Sequence, residues 1–210
     1  YYVGLDVHKD SIAIAVAESN SRDEPRFIGT TGYSVHQVNK ALSSLKCEPE
    51  QVSIAYEAGP CGYGLQRELS SKGYPCIVVA PSRVPRRAAD RIKTDRRDAL
   101  LLARMHRAAE LVKVTVPDPA DEAVRDLIRG REDALKAQKA ARQQLQALLL
   151  RLGNPYRGGR AWTLKHLKFL AEIKFDNPAH RIVFTEYRLA VQAAGDRLER
   201  MNTAIRQASE

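Results

Sequence analysis

The order of strand and helix signals in the first eighty residues constrains the fold of this chain most strongly. Two apolar segments of period two, at 2–7 and 11–17, flank a short polar turn and predict a β-hairpin. The segment 26–31 predicts a third antiparallel strand. Helix, strand, helix and strand signals then follow at 34–45, 52–57, 65–72 and 76–80. This order predicts an α/β domain with a mixed sheet, and the wholly apolar last strand is predicted to be central and buried on both faces.

The predicted element order resembles that of the ribonuclease H-like fold, in which carboxylates at strand ends and on a late helix converge. Asp6 and Glu57 each end an apolar strand, and Asp95 and Asp98 lie three residues apart at the start of a predicted helix. Hard divalent ions such as Mg²⁺ take carboxylate oxygens, and two such ions can hold both reacting oxygens of a phosphodiester exchange. The four acids therefore predict a metal-dependent phosphodiester site.

Each of these acids also has a structural interpretation. Asp6 could cap the turn of the hairpin, and Glu57 could accept hydrogen bonds from backbone donors of the next helix. Asp95 and Asp98 fit the first turn of a helix, where capping and the helix dipole favour acids. The residue types alone leave these interpretations open.

The positive charge of the chain is concentrated in its middle. The formal net charge is +9. Residues 1–80 carry 7 Lys and Arg against 9 Asp and Glu, residues 81–160 carry 19 against 10, and residues 161–210 carry 8 against 6. Such a localised excess is expected of a surface that meets a polyanion, although a solvated basic helix face would also produce it.

A dense basic run surrounds the aspartate pair. Guanidinium groups bind phosphates with two parallel hydrogen bonds, so this run predicts contacts with a nucleic-acid backbone close to the metal site. The predicted nucleic-acid-binding residues are Arg83, Arg86, Arg87, Arg91, Lys93, Arg96 and Arg97.

The second half of the chain has a different periodicity. Mostly apolar residues recur with unbroken 4-3 spacing from 120 to 152 and again from 184 to 208, a pattern typical of coiled coils. Two such helices predict an antiparallel hairpin, an oligomerising stalk, or both. We therefore predict a catalytic domain at 1–112, a proline-containing linker at 113–119 and an all-α coiled-coil region at 120–210 that continues into a further C-terminal domain.

Cysteine usage and hydropathy restrict the compartment. The three cysteines lack C-x-x-C spacing, which favours free thiols in a reducing cytosol over a disulfide framework or a zinc site. No apolar run approaches the roughly 18–20 residues needed to cross a bilayer, and the chain starts without a signal peptide. We expect a cytoplasmic protein with no membrane partner.

Three motifs carry a family resemblance. Y-V-G-L-D-V-H-K-D at 2–10, Y-E-A-G-P-C-G-Y-G at 56–64 and K-T-D-R-R-D-A at 93–99 resemble the DEDD transposases of the insertion-sequence one-ten family, whose relatives include the Piv-type DNA invertases. The resemblance implies a RuvC-like, ribonuclease H-fold domain that holds Mg²⁺, with Mn²⁺ as a substitute. The implied ligands and catalytic residues are Asp6, Glu57, Asp95 and Asp98.

The resemblance also implies partners. Members of this family cut and rejoin DNA as multimers, many guided by a structured bridge RNA, which implies a homo-oligomer, dimer or tetramer, formed through the coiled coil. A serine nucleophile comes from a second, C-terminal domain in the family, and this chain ends before such a domain, so no serine is assigned.

Two alternatives from other functional classes follow from the residues. The first is a non-catalytic nucleic-acid-binding and oligomerisation module whose acids are structural; it predicts salt-sensitive binding that is indifferent to Mg²⁺. The second is an actin-like or sugar-kinase ATPase, suggested by G-L-D-V-H-K-D at 4–10. The ATPase class requires a second glycine-rich phosphate hairpin, and the sequence contains none.

Overall fold

The structure, a computed structural model, describes residues 1–84 and 94–208, and of Arg83 it describes the backbone. The strands within the described residues are β1 Tyr2–Val7, β2 Ser11–Ala17, β3 Arg26–Gly32, β4 Ser53–Glu57 and β5 Cys76–Val79. The helices there are α1 Val35–Leu42, α2 Gly64–Ser71, α3 Asp95–Arg107, α4 Pro119–Arg151, α5 Leu164–Glu172 and α6 Pro178–Ala208.

The five strands form one mixed sheet in the order β3-β2-β1-β4-β5. The pairs β3–β2 and β2–β1 are antiparallel, whereas β1–β4 and β4–β5 are parallel. The predicted mixed α/β architecture is confirmed, and its strand order is compatible with a ribonuclease H-like domain. Because β1 and β4 are adjacent and parallel, their carboxyl ends lie at the same edge of the sheet.

The two faces of the sheet bury side chains of different size. One face carries large residues such as Leu5, Ile14 and Tyr56, which pack with the apolar sides of α1 and α2. The other face carries the small residues Ala13, Ala15 and Ala17, which pack with Ala99 and Ala103 of α3. Alternation along each strand separates the two sets. Small residues on the second face allow α3 to lie close to the sheet.

The position of β5 differs from the prediction. Its apolar sequence predicted a central strand, but β5 is the last strand of the sheet. Its outer edge is covered by the chain after α3: Val79 pairs with Lys113, and the N–H of Val114 donates to the carbonyl of Val78 over 2.8 Å. Because this segment shields the edge, the strand is as apolar as a central one.

The chain divides into two compact units, 1–116 and 117–210. Val114 and Val116 pack against the core of the first unit, so the predicted linker at 113–119 overlaps that unit. The predicted domain limits of 1–112 and 120–210 stay predictions. Among the described residues, no helix is both long enough and apolar enough to span a bilayer.

The second unit is built on the two long helices. α4 and α6 run antiparallel: Arg131 in the first half of α4 donates to Asn202 near the end of α6 over 2.8 Å, and Leu145 in the second half of α4 packs with Phe184 near the start of α6. The positions of the 4-3 pattern are buried or half-buried from Leu127 onward in α4, and Phe184 of α6 is buried. The predicted helical pairing face is therefore the packed face. Whether it also forms a coiled coil between chains stays a prediction.

Candidate metal centre

Gly4 sets how closely α3 approaches β1. An added Cβ at Gly4 would lie 2.4 Å from the backbone nitrogen of Ala103 and 2.4 Å from the backbone oxygen of Ala99. Real Cβ atoms do not come so close to backbone atoms, so only glycine permits this packing. Close contact at Ala99 and Ala103 fixes where the first turn of α3, with its two aspartates, lies over β1.

Three ligand-type side chains meet at the carboxyl end of β1. The His8 Nε2 lies 3.0 Å from the Asp6 Oδ2 and 3.4 Å from the Asp95 Oδ1. Asp6 comes from β1, His8 from the hairpin turn and Asp95 from the first residue of α3. Their ligand atoms all lie within 4.8 Å of one another. The Asp6 side chain is 14% exposed, and those of His8 and Asp95 are about half exposed.

Asp98 lies one helical turn beyond Asp95 and is half-buried. Thr94 caps this helix: the backbone N–H of Arg97 donates to its hydroxyl over 3.3 Å. The cap begins α3 at Asp95, so both aspartates fall in the first turn and face the end of β1 together. Their negative charges act on the Asp6 carboxylate.

The electrostatics of Asp6 reflect this crowding. Burial raises the pKa of the Asp6 carboxyl above its usual value of 3.8. The hydrogen bond from His8 and the charge of His8 lower that pKa, whereas the charges of Asp98 and Asp95 raise it. Burial and like charge both disfavour the ionised form, so ionised Asp6 is destabilised where it lies. A cation placed among these oxygens would relieve that cost.

Glu57 lies at the same sheet edge. Leu5 of β1 is aligned with Tyr56 of β4, so Asp6 and Glu57 are the next residues on two neighbouring parallel strands. Side chains alternate along a strand, and both acids therefore leave the sheet on the face opposite Leu5 and Tyr56. Within residues 1–84 and 94–208, the side chains whose ligand atoms all lie within 4.8 Å of one another are those of Asp6, His8 and Asp95. Glu57 and Asp98 do not belong to this group.

The donor set fits a divalent cation. Two carboxylate oxygens and an imidazole nitrogen lie close enough for one ion, and burial, together with the charges of Asp98 and Asp95, raises the pKa of Asp6. Oxygen donors suit Mg²⁺, and an additional imidazole suits Mn²⁺ or another transition metal. Glu57 and Asp98 would add oxygen donors from the next strand and the next helical turn.

The structure describes only some of the predicted nucleic-acid-binding residues. Arg86, Arg87, Arg91 and Lys93 lie outside the described residues, as does the side chain of Arg83. Arg96 and Arg97 are exposed on the first turn of α3, and the Arg96 guanidinium lies 5.4 Å from the centre of the Phe27 ring.

The basic run continues along α3 with a structural function. Arg107 donates to the carbonyls of Ser21 and Asp23, each over 2.9 Å, and Arg104 lies 3.5 Å from Glu24. These contacts hold the loop between β2 and β3 against α3. Arg104 and Arg107 therefore contact protein.

Two residues of this site were missed from the sequence. Gly4 stands within an otherwise apolar strand, and a glycine in a strand interior signals close approach of another backbone. His8 stands two residues after Asp6, within the predicted polar turn. The hairpin folds back directly after β1, and this turn brings the imidazole of His8 beside Asp6.

The raised pKa of Asp6 gives a testable stability effect. The folded state binds the Asp6 proton more tightly than the unfolded chain does, so stability is lost as the pH rises from 3.8 through the folded-state pKa. In metal-free protein, Asp6→Asn removes the free-energy cost of burying an ionised carboxylate at this position. We expect its melting temperature to exceed that of the wild type at neutral pH and to match it below about pH 3. Calorimetry in a chelator measures this difference; a lower melting temperature for Asp6→Asn at neutral pH would contradict it.

Comparison with known proteins adds independent information. Residues 3–153 match the DEDD transposase family of IS110 type, described as transposases. The chain is 48% identical over 185 residues to the protein named "Putative transposase y4qE" of Sinorhizobium fredii. The matched region covers 88% of this chain and 47% of that protein. The chain is 36% identical over 211 residues to the transposase for insertion sequence element IS1533 of Leptospira borgpetersenii, covering 100% of this chain and 61% of the relative. The chain thus spans about half to three-fifths of these relatives.

Proposed function

Because the chain belongs to the DEDD transposase family of IS110 type, we propose that its first unit is the metal-dependent catalytic part of a DNA transposase. Its substrate would be a DNA phosphodiester, which it helps to cut and rejoin. The observation that carries the proposal is the meeting of Asp6, His8 and Asp95 at one end of the sheet. Asp6 and His8 lie in the family motif at 2–10, and Asp95 lies in the motif at 93–99, which supports the proposal.

We assign the metal ligands as Asp6, Glu57, Asp95 and Asp98. Asp6 is central, because its carboxylate is the most buried of the measured group and is affected by both aspartates of α3. Glu57 would complete the site from β4. A bound Mg²⁺ or Mn²⁺ supplies positive charge for the oxygens of the phosphodiester as they become negative. Without an ion, burial and the charges of Asp98 and Asp95 disfavour the ionised form of Asp6.

His8 is assigned a positioning function at this site. The imidazole of His8 lies between Asp6 of the sheet and Asp95 of the helix, and it is within hydrogen-bonding distance of the Asp6 carboxylate. In the metal-free chain it holds the two carboxylates together and offsets part of their repulsion. It therefore keeps the first turn of α3 in register with the end of β1.

The exposed arginines of α3 would hold the DNA backbone. Arg96 and Arg97 lie on the same helical turn as the aspartates, so phosphates bound there would be adjacent to the carboxylates. The remaining cations of the predicted set, Arg83 to Lys93, would extend this contact. Neutralising several phosphates makes the affinity fall with increasing salt.

Further features of the family are part of the proposal. We propose guidance by a structured bridge RNA, assembly of a homo-oligomer through the long helices α4 and α6, and action in the cytoplasm. Exposed apolar side chains on both helices, such as Ile128, Leu135 and Leu189, support the assembly, and the localised positive charge supports a polyanionic partner. If the acids are structural instead, the chain is a nucleic-acid-binding and oligomerisation module.

Metal removal tests the enzymatic proposal. In the whole protein that carries this chain, a chelator is expected to abolish DNA strand cleavage while Mg²⁺ or Mn²⁺ restores it, because the carboxylates of the site cannot replace the charge of the ion. DNA binding by the arginines should persist in the chelator. Cleavage that continues at an unchanged rate without divalent ions would contradict the proposal and favour the binding module.

A further inference from the structure

The second unit contains an extended stretch without acidic residues. From 134 to 171 the sequence has eight Lys or Arg residues and no Asp or Glu. The stretch covers the second half of α4, the loop that follows and nearly all of α5. It lies outside the basic run around the metal centre, and its charge has no part in the catalytic proposal.

Five of these cations cluster along the end of α4, the loop and α5, and all are exposed: Arg151, Arg157, Arg160, Lys165 and Lys168. Within the described parts of the chain, none of them has an ion pair. By contrast, Arg129 and Lys136 of α4 pair with aspartates one turn earlier in the same helix. Unpaired like charges repel one another, so this end of the unit favours a polyanion. Glu172 and Asp176 border it.

A cavity of about 480 Å³ is lined in part by Trp162 and Leu167, which lie between Arg160 and Lys168 in the chain. Its walls include the apolar side chains of Leu145, Trp162 and Leu170 and the polar side chains of Arg188 and Gln192. Trp162 is the one tryptophan of the chain. An aromatic wall with a few hydrogen-bonding groups is the usual lining of a site for a planar heterocycle, and the volume lies within the common range of about 300–1,000 Å³.

Trp162 is held in place by several contacts. Its backbone lies in the left-handed region with φ 66°, a conformation that is costly for a large side chain. The backbone N–H of Trp162 donates to the Nδ1 of the buried His166 over 3.0 Å, and the Arg142 guanidinium lies 4.8 Å from the centre of the indole ring. The surroundings thus fix the indole at the cavity wall.

We propose that this end of the helical unit binds a nucleic-acid strand with unpaired bases. The exposed cations hold its phosphates, and the cavity takes a base that stacks on Trp162. Stacking requires a base free of its partner, so the site selects single-stranded segments or loops over duplex. Phosphates and unpaired bases occur in RNA and in single-stranded DNA, so either type of strand satisfies this chemistry.

The single tryptophan makes the proposal directly testable. Titrating the 210-residue chain with an oligouridine or an oligothymidine strand is expected to quench the Trp162 emission, because a stacked base lies against the indole. Quenching by oligouridine alone assigns RNA, and quenching by both assigns single strands generally. Failure of both to quench overturns the proposal, and so does equal quenching by a duplex of the same length.

Charge variants test the phosphate contacts. Arg157→Gln with Arg160→Gln is expected to weaken strand binding about tenfold and to make the plot of log affinity against log salt shallower by about 1.4, at roughly 0.7 per phosphate. The control Arg125→Gln with Arg129→Gln removes the same charge from exposed positions outside the stretch and should change affinity less than about twofold. Equal losses in the two pairs would overturn the proposal. Asp6→Asn should leave the quenching unchanged, which separates this site from the metal centre.

Discussion

DNA strand cleavage by the Asp6→Asn variant is expected to be slower by a factor on the order of 10³. Asparagine has nearly the shape of aspartate but lacks its negative charge, and Asp6 is the buried member of the metal centre. Loss of a metal ligand removes several kcal/mol of stabilisation from the charged oxygens of the reaction, and each 1.36 kcal/mol is about tenfold in rate. The rate is measured under single-turnover conditions in the whole protein that carries this chain.

This loss has an unusual signature, because the same substitution is expected to stabilise the metal-free fold at neutral pH. An inactive yet more stable variant rules out misfolding as the cause, and such opposed effects are common where function requires crowded charge. Asp10→Asn is the matched control: it is an exposed acid four residues away, in the same hairpin. It should cleave within about twofold of the wild type. Comparable losses in Asp6→Asn and Asp10→Asn would contradict the assignment.

Gly4→Ala is expected to destabilise the first unit strongly. The new methyl group would overlap backbone atoms of α3 at Ala99 and Ala103, which cannot rotate away as a side chain could. Overpacking of this kind costs about 1–3 kcal/mol or more, so the melting temperature should fall by about 5–10 °C. The helix must shift outward, which moves Asp95 away from Asp6. We therefore expect ion affinity to fall together with stability.

Gly64→Ala provides the matched control for this prediction. An added Cβ at Gly64 meets no atom within 4 Å, and the residue begins α2 on the other side of the sheet. Alanine is the better helix former by about 1 kcal/mol in a helix interior, so this variant should melt at or above the wild-type temperature. Ion affinity should be unchanged. Equal melting temperatures and equal ion affinities in Gly4→Ala and Gly64→Ala would contradict the claim that the close packing of α3 on β1 positions the site.

The sequence predicted the parts of the fold that depend on local patterns. Alternating apolar residues predicted β1 and β2, and the 4-3 spacing predicted the packed faces of α4 and α6. Asp6 and Asp95 were predicted to converge, because strand ends and a capped helix start have recognisable local signals. The structure brings these two carboxylates together through His8.

Other features depend on contacts between distant segments, which local patterns do not encode. β5 has the composition of a central strand because residues after α3 cover its edge, some 35 positions later in the chain. Arg107 continues the basic run of α3, but three carbonyls of the loop between β2 and β3 accept hydrogen bonds from it. In both cases the residues in contact lie far apart in the sequence, so no local pattern indicates them.

The central claim is that a divalent ion binds between the end of β1 and the first turn of α3. Anomalous scattering from a crystal of the chain soaked in Mn²⁺ locates the ion directly. We predict a peak within coordination distance of the Asp6 and Asp95 carboxylates, with Glu57 or Asp98 completing the set, and its loss in Asp6→Asn. Manganese peaks found only elsewhere on the protein, with none beside Asp6, would contradict the account.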